Sequence, residues 1–322
     1  MISEGERKKV KIIYTGGLSQ LGVDSDKKLD KLFSSFIEIS LLSDVDIVYI
    51  DNVNGVDVDW GMVSKIGQEI LRDYDDYDGF VIIHSSDNVE YVASLMRFCI
   101  HSIGKPVIFT GISWINYLQK SSLSLSSEEQ MRYRELSLRT NLVSAIQLAL
   151  SDCSGVLLAY GSKIVRAVRA IRPVYNDADI FASFGESDVA KIQLGIKLLA
   201  GASKRFVSQP TVDFSFSTDI DIFDLNPSLK MPNSIIDNKK AVVILGCNEY
   251  AISKILKLPT NIPVVILSSG EVVNVGENII HVCNATFPAV VAKTMICVDK
   301  AASVKEFKDL FWNIEHDEFF DL

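Results

Sequence analysis

The feature that most constrains this chain is an alternation of short, almost wholly apolar, β-branched runs with longer stretches of helical periodicity. Residues 10–14, 46–50, 79–83, 106–110 and 155–160 are near-continuously apolar. A strand apolar at every position is buried on both faces, as in a parallel sheet covered by helices. Between these runs the spacing predicts helices over 30–42, 60–74, 88–103 and 128–150. The series reads as βαβ units, so the expected architecture is α/β with a doubly wound parallel sheet. After residue 163 the pattern becomes charged and β-rich. Over 208–237, Pro210, Pro227 and Pro232 punctuate Phe214, Phe216, Ile220 and Ile222, a connector with a strand or two. From 239 a shorter α/β series follows, with strands at 241–245 and 263–267 and a helix over 286–301. A length of 322 residues also points to two domains at about 150 residues each. The expected boundaries are a large domain over 1–205, a linker over 206–238 and a smaller C-terminal domain over 239–322.

Composition excludes several classes. With 48% hydrophobic and 23% charged residues, disordered, collagen-like and coiled-coil readings fit badly. No apolar run approaches the length of a membrane span, and the opening residues carry no apolar signal core, so neither membrane attachment nor export is expected. A net charge of −9 disfavours nucleic acid as a partner. The five cysteines, Cys99, Cys153, Cys247, Cys283 and Cys297, show no C-x-x-C pair, which suits a reducing cytoplasm. The four histidines, His84, His101, His281 and His316, lack metal-ligand spacing. Neither a metal nor a cofactor is expected. Trp60 and Trp114 read as packing residues, and the acidic 315–318 stretch as a solvated end.

In open parallel sheets ligands lie beyond the carboxyl ends of the strands, so the loops there are the first candidates. The first strand runs into Thr15-Gly16-Gly17-Leu18-Ser19, where paired glycines permit a sharp turn or a close approach. The loop has neither the Lys-Ser/Thr of a P-loop nor a full dinucleotide fingerprint, although Asp51 stands where a ribose-binding acid would lie. The third strand ends in His84-Ser85-Ser86-Asp87 and enters a helix, placing a hydroxyl and a carboxylate at a helix N-terminus. The structural alternative is a cap: Asp87 with Glu90 fits a capping-box-like start, and Ser86 alone could cap. Lys163, Arg166, Arg169 and Arg172 form a local basic cluster. If that segment is extended, Arg166 and Arg172 share a face and Arg169 takes the other.

Taken together, Thr15-Gly16-Gly17, the 77–84 run into Ser85-Ser86-Asp87, and 105–111 resemble the L-asparaginase family, particularly its type I cytoplasmic branch. Further matches are Asn141-Leu142, the segment from Lys163-Ile164-Val165-Arg166 to Phe181-Ala182-Ser183, and Asn284-Ala285-Thr286 with Lys293. The resemblance implies an asparaginase-like two-domain α/β fold, a homodimer or homotetramer, and hydrolysis of asparagine's side-chain amide through a threonine acyl-enzyme. Such chemistry needs an activated hydroxyl and a proton relay.

Measured against that pattern, this chain departs at the reacting positions. The family's nucleophile, last in its Thr-Gly-Gly-Thr motif, falls on Leu18, and a leucine cannot attack a carbonyl. The Thr-Asp pair of the second motif falls on Ser86 and Asp87, where hydroxyl and carboxylate survive. The relay lysine falls on Arg172, whose guanidinium stays protonated. The expected tyrosine of the following loop is absent from 22–31. The substrate side is assigned to Gly16, Gly17, Asn52 and Val53, where the family's carboxylate-gripping serine is missing, and the Ser-Asp-Gly expected before Asn141 reads Leu136-Ser137-Leu138. The expected function is thus a degenerate asparaginase binding a small amide or amino acid, or a protein partner. The alternatives are a divergent amidohydrolase using Ser86, with Thr15 and Ser19 as lesser hydroxyls, and an amidotransferase-like subunit.

Overall fold

The structure is a computed structural model describing residues 7–53, 60–113, 126–173, 179–224, 239–246, 261–268 and 276–313. The chain divides into two compact units, Met1–Val212 and Asp213–Leu322. Trp114, Pro227, Pro232, Cys247 and the 315–318 stretch with His316 lie outside the described residues.

The first unit is built on an eight-stranded sheet. Its strands are β1 (Lys9–Gly16), β2 (Asp44–Val53), β3 (Gly79–Ile83), β4 (Pro106–Thr110), β5 (Gly155–Ala159), β6 (Lys163–Arg166), β7 (Ala190–Ile192) and β8 (Ile196–Leu198). Their order is β8-β7-β6-β5-β4-β3-β1-β2. The five strands from β2 to β5 pair in parallel. The remaining three add in antiparallel fashion. All five apolar runs of the sequence are therefore strands of one α/β sheet.

Alternation along β1 shows why both faces need helices. Val10, Ile12 and Tyr14 join one apolar cluster with Leu29 and Phe33 of α1 (Asp26–Ser34), Ile39 of α2 (Ile37–Leu42), and Leu142 and Ile146 of the long helix that spans Ser127–Ala149. Lys11, between them, serves the opposite face, where it is buried and pairs with Glu69 at 2.7 Å and with Asp73, at the end of α3 (Gly61–Arg72). A buried ammonium is tolerated only when paired in this way. Helix α4 (Val89–Cys99) follows β3, and the long helix is α5.

Three expectations are corrected. The helix expected over 30–42 is two helices, because the Ser34 and Ser35 hydroxyls bond back to the carbonyls of Asp30 and Leu32 and compete with the helical ladder. Phe36, at the break, is buried in the core. The helix expected over 88–103 ends at Cys99, since Ile100–His101 pairs as a short strand with Thr211–Val212. The segment after Lys163 is not extended throughout: Ala167–Arg169 forms a 3-10 turn, which buries Arg169 and cancels the predicted alternation of arginine faces.

The second unit holds a four-stranded, all-parallel sheet of β9 (Ile220–Asp224), β10 (Ala241–Leu245), β11 (Val264–Leu267) and β12 (Ile279–Val282), in that order. The strand β9 comes from the expected connector. Helix α6 (Phe287–Lys300) starts on Thr286, whose hydroxyl accepts from Ala289 N at 3.4 Å, and α7 (Val304–Asn313) follows. No helix among the described residues is long and apolar enough to cross a membrane.

Candidate active site

In the order β2-β1-β3-β4-β5 the chain leaves β1 and β3 toward opposite sides of the sheet. Such a switch point, here between β1 and β3, is where open α/β sheets place their ligands, beyond the carboxyl ends of the strands. The two loops singled out in the sequence, Thr15 to Ser19 and His84 to Asp87, meet there.

Gly17 is where they touch. Its φ is +86°, and a Cβ there would stand 2.6 Å from Ser85 N and 2.7 Å from Ser85 Cα, so only a glycine fits. Beneath this contact the Thr15 hydroxyl donates to the Ile83 carbonyl at 2.9 Å and lies 2.7 Å from His84 Nδ1. Tyr160 donates to the His84 carbonyl at 2.9 Å. Thr15 is thus fully buried and committed to cross-strand bonds, a poor position from which to attack a ligand.

Leu18, which the sequence analysis set against the family nucleophile, is 0% exposed and belongs to the apolar cluster under the sheet. The loop behind it is pinned at several points. Val23 N donates to the Leu18 carbonyl at 3.3 Å, Val23 is itself buried, and the Asn52 amide donates to the Val23 carbonyl at 3.2 Å. Asn52 also accepts from Tyr14 at 2.7 Å, and burial pushes the Tyr14 phenol far above its usual range. Both polar ends of the Asn52 side chain are therefore spent on the scaffold. Val53 pairs with Gly16 through the sheet register. Asp51 pairs with Lys65 at 3.4 Å.

On the other loop, Ser86 is buried and Asp87 exposed. The Asp87 carboxylate accepts from the Ser85 hydroxyl at 3.2 Å. The capping box expected from Asp87 and Glu90 does not form. Asn88 stands at the N-cap of α4 in a left-handed conformation (φ +59°) and makes no side-chain capping bond, and Glu90 turns instead to Arg172. The Arg172 guanidinium makes two bonds of 2.6 Å to the Glu90 oxygens, reaches the Ser86 carbonyl, and lies 4.9 Å over the Phe181 ring. Burial pulls the Arg172 pKa down, but the Glu90 bonds outweigh it and raise it further. Arg172 thus stands against the Ser86 backbone as a cation held by Glu90.

Asn141 ties the neighbouring strand ends to α5. Its amide donates to the Gly111 carbonyl at 2.7 Å and to Ser113 Oγ at 3.0 Å, and its oxygen accepts from Gly161 N at 3.1 Å. Among the described residues no group of three or more His, Cys, Asp or Glu could hold a metal ion.

His84 and Tyr160 carry much of this geometry although the sequence singled out neither for a role. Burial pushes the His84 imidazole down to about 4, against a weaker upward pull from Asp87. An unfolded histidine titrates near 6.5. The unfolded chain therefore gains a proton first as pH falls. The stability contributed by the neutral ring is complete above about pH 6.5 and is lost toward about pH 4, by up to about 3 kcal/mol. Denaturant unfolding of wild type and His84→Gln between pH 7 and 4.5 should show a shallower pH slope in the variant. Identical slopes would contradict the assignment.

The fold is that of a two-unit α/β protein whose larger unit carries a parallel sheet with a switch point between β1 and β3. The family model described as "Asparaginase, N-terminal" matches residues 9–203, more than half the chain, and the chain belongs to the asparaginase family. It is 33% identical over 126 residues to L-asparaginase 1 of Escherichia coli, covering 39% of this chain and 32% of that relative's length. To a glutamyl-tRNA(Gln) amidotransferase subunit of Thermoplasma acidophilum it is 28% identical over 199 residues, 58% of this chain and 44% of that one. The match thus spans less than half the length of either curated relative. The crystal structure of L-asparaginase I from Vibrio cholerae aligns over 98% of this chain and 99% of its own, with a TM-score of 0.74 and 20% identity. The thermostable L-asparaginase from Thermococcus kodakarensis aligns over 98% and 100%, with a TM-score of 0.71 and 17% identity. At such identities the likeness is one of fold.

Proposed function

We propose that this chain is a degenerate asparaginase: it keeps the family's fold and strand-end crevice but does not hydrolyse amides efficiently, and it acts by binding a small amide or amino acid, or a protein partner. The observation that carries this reading is Leu18, an aliphatic side chain packed into the core at the position matching the family nucleophile. Arg172 supports it, because a guanidinium held by Glu90 cannot release a proton at neutral pH. Loss of a nucleophile from a cooperating set costs on the order of 10⁶ in turnover. A cytoplasmic location is part of this reading and suits Cys99, Cys153, Cys283 and Cys297, none of which is in a disulfide, and a homodimer or homotetramer is what the family resemblance implies.

A second reading, hydrolysis by Ser86, is favoured by the adjacent Asp87. Ammonia release from L-asparagine by wild type and Ser86→Ala separates the two. The expected result is a wild-type rate at the level of the protein-free control. Turnover that disappears in Ser86→Ala would overturn the proposal and establish the second reading. The likeness to an amidotransferase component makes a partner-bound role a third reading, which a stable stoichiometric partner on purification would support.

A further inference from the structure

The strand β2 is the last in the order of the large sheet and is paired on one side only, with β1. Asp44 N donates to the Lys8 carbonyl at 3.0 Å, so the even-numbered residues of β2 direct their backbone groups inward. Val45, Ile47 and Tyr49 therefore direct theirs outward, along the edge of the sheet. An edge of this kind is a template for one more strand. Alongside it runs a groove of about 530 Å³, walled by β2 on one side and by Phe36, Ile37 and Ser40, where α1 passes into α2, on the other. Ile37 and Leu41 stand one helical turn apart on α2 and are 66% and 75% exposed.

The two sides of this edge differ chemically. Val45, Ile47 and Tyr49 lean on the apolar cluster that α1 and α2 complete, so a strand laid against β2 would set every second side chain on that apolar side. Its alternate side chains would fall beside Asp44 and Asp46, on the opposite face of the sheet. Charge decides what those must be. Among the described residues that line the groove, Asp30, Asp44 and Asp46 stand against Arg7 alone. Arg7 lies 3.2 Å from Asp44, but both side chains are about half exposed and the pair is screened by water, while Asp46 accepts from the neutral Tyr77 hydroxyl at 2.7 Å. Inboard on β1, Lys9 lies opposite Asp44, and Lys11, opposite Asp46, is committed to Glu69 and Asp73.

We propose that the outer edge of β2 is a docking site for an extended segment of a partner protein in which apolar residues alternate with Lys or Arg, added to the sheet as one further strand. Main-chain bonds to Val45, Ile47 and Tyr49 supply affinity, and the alternating side chains supply specificity. A second copy of this chain suits the edge less well: β2 itself has three aspartates and no cation, so pairing two of these strands would bring carboxylates to both sides of the ladder and nothing to meet them. The proposal stands apart from the strand-end site, and its failure leaves the reading of Leu18 and Arg172 untouched.

The probes are fluorescein-labelled peptides of about seven residues, the length of an ordinary strand: alternating Lys and Val, alternating Glu and Val, and Lys and Val methylated at every backbone nitrogen, which keeps the charge and removes the strand donors. Anisotropy titration of the full chain is expected to show the Lys–Val peptide binding at least about tenfold tighter than either of the others, or about 1.4 kcal/mol. Its binding should slow amide exchange at Val45, Ile47 and Tyr49 and leave Asp44 and Asp46 unchanged. Asp44→Asn/Asp46→Asn, at two exposed positions, should cut the preference for Lys–Val over Glu–Val about fivefold or more. Equal binding of the methylated peptide would reduce the effect to bulk attraction by an acidic protein and overturn the proposal. No binding of any probe would also overturn it, and would make Asp44 and Asp46 guards that keep the edge unpaired. Protection of the same three amides that rises with protein concentration alone, together with dimers in sedimentation, would give the edge to a second copy and equally overturn it.

Discussion

Replacing Leu18 by threonine should cost about 3 kcal/mol of stability and should not, by itself, bring back asparagine hydrolysis. Leu18 has no exposed surface and belongs to the same buried apolar cluster as Val23, Leu138 and Leu142. Removing a buried leucine's methyl groups costs about 2–5 kcal/mol depending on how far the site collapses, and an unpaired hydroxyl in the same space adds to the loss. The hydroxyl would also enter a site whose relay position holds Arg172, paired to Glu90 and to the Ser86 carbonyl and unable to act as a base. The measurements are urea unfolding and ammonia release by Leu18→Thr. Efficient turnover from this single change would mean that the rest of the site is still shaped for substrate and that Arg172 does not block the relay.

Gly17→Ala should be worse still, on the order of 4 kcal/mol. The alanine Cβ would meet the backbone of Ser85, not a movable side-chain tip, and the residue would have to keep a φ of +86°. Left-handed strain and overpacking each cost about 1–3 kcal/mol. Gly22→Ala is the internal control. Its φ is +74°, yet nothing lies within 4 Å of the added Cβ, so only the conformational term of about 1 kcal/mol remains. Equal losses in the two variants would show that backbone conformation alone, and not the apposition of the two loops, makes Gly17 necessary.

Much of the candidate site was legible because its parts are local. The Thr-Gly-Gly turn, the His-Ser-Ser-Asp exit from β3 and the apolar strands each declare themselves within a few residues. Glu90 was legible only as a cap, because spacing along one helix favours the nearby backbone over an arginine 82 residues away. The long helix at Ser126 shows what a true capping box needs: the Ser126 hydroxyl accepts from Glu129 N while Glu129 bonds back to Ser126 N at 2.8 Å. Asn52 was assigned to the substrate, yet its amide is spent on Tyr14 and Val23, contacts that join three separate stretches of chain.

Apolar periodicity and residue identity are properties of single segments, and they sufficed for the α/β class, the strands of the parallel sheet and the leucine at position 18. What the tertiary structure alone decided is that Leu18 faces the core, that Asn52 is a staple and that Arg172 is cancelled by Glu90. The physical reason is that burial and pairing depend on which distant groups reach one another first, and a buried charge or amide takes the partner that the fold delivers.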